Sequence, residues 1–191
     1  MNTITASREE AIVNQYRQER RNFGVKETDA KWAKQIIGEW DRMLESNEPT
    51  INRPEEIKAT MRENLAIRDA IIIASMCDKY SVGQLTALAA DAHGAKTKRI
   101  MNAMLAEAFT DGKFNKTRSE QAASLLEQLT DGDDEWTVQP HAIIAWLEWI
   151  NGNENNAAYH AAKANELDDK CGLAALILTA TFHGLKPDYL D

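Results

Sequence analysis

Apolar residues recur at three- and four-residue steps along most of this chain. Trp32, Ile36, Trp40 and Met43 or Leu44 fall on one face, the spacing of an amphipathic helix, here starting near Thr28 or Asp29. Upstream, Ser7 and Glu10 stand at capping-box separation and open a first helix that runs to about Asn22 before Gly24. From Pro54, a residue suited to a first helical turn, the stripe Ile57, Met61, Leu65, Ile67 leads into Ala70 to Cys77. That stretch is apolar nearly all round, as a buried central helix is. Ser81 and Gln84 repeat the capping spacing, and Leu85, Leu88 and Ala89 carry a helix towards Gly94. Ile100, Met101, Met104, Leu105, Ala108 and Phe109 mark another, ended by Asp111-Gly112. Thr117 and Glu120 open the next, with Ala122, Leu125, Leu126 and Leu129 inward and Gly132 closing it. From Pro140, two helical patterns meet at Asn151-Gly152-Asn153, and a third apolar helix follows.

No segment alternates β-branched or aromatic residues between turn residues, so strands are not expected. The pattern predicts an all-α fold, a compact bundle of about nine helices with roughly 65–75% helix. Ser46 to Pro54, with two prolines, is the clearest loop. It divides an N-terminal helical hairpin, 1–48, from a helical bundle, 54–191, the two together forming one globular unit. A chain of 191 residues with 43% hydrophobic content is long enough to bury a proper core.

Charge is unevenly spread. Met1 to Ser119 holds 19 Lys and Arg against 17 Asp and Glu; Glu120 to Asp191 holds 3 against 13. An acidic half is a poor match for nucleic acid or an anionic membrane. The longest apolar run, Cys171 to Phe182, is too short to span a bilayer. The first residues lack the basic and apolar regions of a signal peptide. Cys77 and Cys171 each lie in apolar helical runs, which suits a reducing compartment. A cytoplasmic location is expected.

Candidate chemistry is sparse. Asp131, Asp133, Asp134 and Glu135 start like a calcium loop, but Trp136 and Ala142 occupy the positions that need Gly and a bidentate Glu. Lys96, Lys98 and Arg99 form a basic cluster at a helix start, electrostatically unfavourable there and able to touch a phosphate or an acidic surface. His93, His141, His160 and His183 include no pair at the three- or four-residue spacing of helical metal ligands. No Ser–His–Asp context is recognisable. No metal, no cofactor and no enzymatic activity are expected.

Trp146 and Trp149 lie one helical turn apart, and the following helix is rich in alanine. Small side chains allow close helix approach, with indole rings filling the space beside them. This helix, its glycine turn and an alanine helix ending Glu166-Leu167-Asp168 resemble one tetratricopeptide unit. The order Trp146, Trp149, Gly152, the alanine run, Leu167-Asp168, Leu173-Ala174, Gly184-Leu185, Pro187 resembles the C-terminal end of the domain-of-unknown-function family 4192 of actinobacteria and their phages. Ile67-Arg68-Asp69-Ala70 also resembles a recurrent piece of it. Members carry a further N-terminal region with no counterpart here. The resemblance implies a helical bundle and an actinobacterial or actinophage origin, but no activity.

The expected function is a non-enzymatic protein–protein interaction module, with a phage or mobile element as its expected source. Its expected surface is the groove beside Pro140 to Asp168, with Trp149, Tyr159 and His160 as exposed contacts to a protein partner. Two alternatives stand beside it. One is an acidic inhibitor imitating nucleic acid against a nuclease or defence protein. The other is an enzyme or small-ligand binder whose site the sequence does not reveal.

Overall fold

The computed structural model describes residues 7–46 and 50–190; the side chains of Leu105 and Phe109, and the centre of the expected Ser46 to Pro54 loop, lie outside what is described. About three quarters of the described residues are helical, and none forms a strand. The helices are α1 (Arg8–Phe23), α2 (Val25–Leu44), α3 (Pro54–Glu63), α4 (Leu65–Met76) and α5 (Val82–Ala90), then α6 (Ala95–Asp111), α7 (Lys116–Glu127), α8 (Val138–Ile150), α9 (Glu154–Leu167) and α10 (Gly172–Phe182), with a 3₁₀ turn at Asp188–Leu190.

Ten α-helices are described where about nine were expected, and the extra one comes from a break at Asn64. The periodicity from Ile57 to Cys77 reads as one helix. Asn64 is instead extended (φ −133°, ψ 98°) and ends α3 and caps α4 at once. Its side-chain oxygen accepts from the Ala66 N–H at 2.9 Å, and its amide donates to the Tyr16 hydroxyl at 2.9 Å. Asparagine suits this place because it replaces a lost helical acceptor with a side-chain one.

Other ends follow local chemistry. Both capping boxes, Ser7 with Glu10 and Ser81 with Gln84, are formed. α2 starts at Val25, directly after Gly24, rather than near Thr28; Thr28 and Asp29 are buried inside it. α7 is capped by the Asn115 side chain, which accepts from the Arg118 N–H, and not by Thr117. α5 stops at Ala90, before Gly94.

One apolar core runs through both halves. It joins Tyr16, Trp32, Ile36 and Trp40 of the first hairpin to Ile71, Ile73 and Met76 of α4 and to Ile143, Trp146 and Ile150 of α8. The Trp40 indole donates to the Ser75 hydroxyl at 3.0 Å, tying α2 to α4. α8 is the central strut. All its residues but Glu148 are buried, and α7, α9 and α10 all pack on it.

Candidate functional site

α8 and α9 form the hairpin expected from the sequence, joined at Asn151-Gly152-Asn153. Gly152 takes φ +84°, which L side chains rarely adopt, so the chain reverses within three residues. α9 presents Ala157, Ala161 and Ala164 inward, all fully buried. Small side chains at these positions give α8 and α9 the most extensive helix contact in the molecule.

Of the three expected surface contacts, only Tyr159 is exposed (56%). Trp149 is buried because the segment after α10 folds back over it. Its indole N–H donates to the Leu185 carbonyl at 3.0 Å, its ring lies 5.9 Å from that of Trp146, and the Tyr189 hydroxyl donates to the Ile150 carbonyl next door. His160 is buried because it faces α7 and α8 rather than solvent.

His160 sits in the one group of titratable side chains that the fold gathers inside this region. Its Nδ1 lies 2.9 Å from Nδ1 of His141, and its Nε2 lies 3.0 Å from a Glu127 carboxylate oxygen. The polarity of this chain follows from chemistry. An ionised carboxylate can only accept, so His160 Nε2–H donates to Glu127. In neutral His160 the Nδ1 then accepts, and His141 Nδ1–H is the donor. Burial pushes the His141 pKa down to about 4, helped by His160 and Lys163. Burial also lowers His160, against the opposing pull of Glu127 and Glu148. The ring nitrogens are at hydrogen-bonding distance, and no group of three or more His, Cys, Asp or Glu among the described residues is placed to hold a metal ion.

Sequence spacing concealed this pair, since His141 and His160 stand 19 apart on different helices. The available signal was the hairpin itself: both histidines flank the glycine turn at comparable separations, eleven residues before Gly152 and eight after.

The other expected elements stay apart from it. Lys96, Lys98 and Arg99 are exposed at the start of α6, where the Lys98 backbone N–H donates to the Gly94 carbonyl at 3.1 Å. Thr97, between them, is buried and donates to the Asp91 carbonyl at 2.8 Å. In the acidic loop, Asp134 accepts from the Trp136 N–H at 2.9 Å and Glu135 pairs with Arg62, so both carboxylates hold local structure. Cys77 and Cys171 are free, and burial raises the Cys77 thiol pKa.

α10 supplies the surface that the sequence reading did not single out. From Gly172 to Phe182 it carries no charged side chain. Its Ala174, Ile177 and Ala180 face inward, while Leu176 (55%) and Phe182 (86%) stand in solvent. Leu173 and Leu176 border a hollow of ≈ 190 Å³ whose other walls include Ile72, Met104 and Trp146, with Asp69 at its edge. No described helix is long and apolar enough to cross a membrane. Comparison with protein-family models, with curated proteins and with solved structures finds no match for this chain.

Proposed function

We propose that this chain is a non-enzymatic helical interaction module that docks a partner protein on the outer face of α10. The observation carrying this reading is the exposure of Leu176 and Phe182 on a helix without a charged residue. Large apolar side chains exposed on an uncharged helix are the kind of surface that marks a protein-binding site. The hollow beside Leu173 and Leu176 offers a place for an apolar anchor residue.

Charge defines the partner further. The half of the chain that bears α10 holds 13 acidic residues against 3 basic ones, and Asp168 and Asp169 stand exposed just before the helix. The partner proposed is therefore an apolar helix or ridge flanked by Lys or Arg. In this reading α8 and α9 act as a tetratricopeptide-like hairpin supporting α10. The phage or actinobacterial setting implied by the C-terminal resemblance, and the cytoplasmic location expected from the sequence, belong to the same proposal.

The test compares the wild-type chain with a Leu176→Asp/Phe182→Asp variant in capture from lysate after nuclease treatment. Support is one stoichiometric protein retained by the wild type, lost by the variant, and only weakly sensitive to salt. Circular dichroism must be unchanged between the two. Retention by the variant overturns the docking face. Capture that collapses with salt favours the acidic-inhibitor reading, since long-range charge contacts are screened.

A further inference from the structure

The Glu127–His160–His141 chain, two buried histidines reached by a half-exposed carboxylate, joins three helices at one point: the last residue of α7, the first half of α8 and the middle of α9. Two imidazoles facing each other through Nδ1 at 2.9 Å can share one proton between them but not two. With a proton on each Nδ1 and no acceptor, two N–H groups would point at each other inside the fold. The contact that fastens α9 to α8 is thus conditional on protonation, whatever else the helices share.

We propose that this chain of groups is a proton-operated latch that holds α9 against α7 and α8 near neutral pH and lets it loosen in acid.

The surroundings decide the direction. Among the described residues Glu127 is the only carboxylate bonded to the pair, and it can compensate one proton on His160. Glu148, from α8, also faces His160. Asp133, in the loop before α8, and Lys163, on α9, act on His141 with opposite signs, and they lie 3.9 Å apart. α4 reaches this end of α8 through Arg68, which bonds Gln139 at 3.1 Å, and α3 through Arg62, which pairs with Glu135. α10 packs on both α8 and α9 and carries no ionisable side chain within the helix, with Cys171 at its N-cap and His183 at its C-cap. One acid group therefore compensates one proton, and a second has no partner of its own.

The consequence reaches the surface. Tyr159 stacks edge-on to His160 with ring centres 5.0 Å apart, and α10 rests on α9. Loosening α9 would release Tyr159 and remove the support beneath Leu176 and Phe182. This inference stands apart from the docking proposal, since its test involves no partner.

The experiment is a pH titration of the full chain by NMR, following the histidine rings and the amide exchange protection of α9 relative to α2. The expected result is that His141 and His160 titrate in two coupled steps below the ordinary histidine value of 6.5. Protection in α9 should fall by at least about tenfold relative to α2 between pH 7 and pH 4.5. Glu127→Gln keeps an acceptor for His160 but removes the compensating charge on a half-exposed side chain, so it should make the acid loss in α9 larger. The double variant His141→Gln/His160→Gln should flatten it. Rings that titrate at the ordinary value, or α9 protection that follows α2 throughout, would overturn the latch; a Glu127→Gln variant with unchanged acid loss would do the same.

Discussion

Asn64 donates its side-chain amide to the hydroxyl of Tyr16, 48 residues earlier, at 2.9 Å. The Tyr16 hydroxyl in turn donates to Asp29 at 2.5 Å, and Arg20 donates to Asp29 through two bonds of 2.7 and 2.8 Å. Three helix segments are thus held by one buried polar chain: α1, the start of α2, and the break between α3 and α4. Burial and the bond to Asp29 raise the Tyr16 pKa well above its usual range, so the phenol stays protonated and remains a donor.

Tyr16→Phe keeps the ring and its edge contact with Trp32, and removes only the hydroxyl. Asp29 retains Arg20, but the Asn64 amide loses its acceptor inside the fold. An orphaned buried donor costs about 1–3 kcal/mol, which urea denaturation would register directly. Adding Asn64→Ala should cost less than the sum of the two single changes, because the second change removes the orphan. Strictly additive costs would show that the bond contributes nothing.

The acid limb of the stability curve should depend on Glu19. Its carboxylate accepts from Lys31, from the Trp32 indole and from Gln15, and these bonds hold its pKa at about 2. A folded-state value below the unfolded one gives stability that is present above about pH 4.5 and lost as pH falls towards 2. The site is partly open to water, so the contribution is only about 1 kcal/mol after screening. Denaturation of Glu19→Gln at pH 6, 4 and 3 should show a smaller gap from the wild type at pH 3 than at pH 6. A constant gap would mean that the carboxylate's charge plays no part.

Trp149 and Tyr159 should separate cleanly by mutation. Trp149→Ala empties a buried indole site and deletes the bond to Leu185, for which about 3–5 kcal/mol is the ordinary cost. Tyr159→Ala, at an exposed position, should change stability by no more than about 0.5 kcal/mol. Thermal unfolding of the two variants checks the ordering, and equal losses would contradict it.

The contrast between these two residues shows what the sequence could and could not reveal. Periodicity placed Trp32, Ile36 and Trp40 on one inward face, and all three are buried. Spacing alone identified both capping boxes, because a cap is a contact between residues three apart. Asn64 and Asn115 escaped notice because the period continues across the first, and Thr117 offered an equally plausible cap beside the second. Trp149 lies on a helix that is apolar nearly all round, which leaves little outward face to read, and its cover comes from Leu185, 36 residues later. The histidine pair is likewise a tertiary fact. Buried Arg118, which bonds the Ala74 carbonyl at 2.6 Å and pairs with Asp41, carries no local signal, since an arginine in the first turn of a helix reads as solvent-exposed.

Glycine substitutions at two sites should move stability in opposite directions. Gly112 ends α6 in the left-handed conformation (φ +60°), and a Cβ there would lie 2.9 Å from the Tyr189 ring. Gly112→Ala therefore carries backbone strain of about 1–2 kcal/mol and also pushes on Tyr189, whose hydroxyl fastens the C-terminal turn to Ile150. Gly172, the first residue of α10, has no positive φ, and its added Cβ meets nothing within 4 Å. There Gly172→Ala restricts the unfolded chain at little cost to the folded one, so a gain of up to about 0.5 kcal/mol is expected. Chemical denaturation of the two variants should bracket the wild type. If Gly112→Ala proved neutral, the C-terminal turn could not be resting on α6 as described; if Gly172→Ala were destabilising, the start of α10 would be packed against something rather than open to solvent.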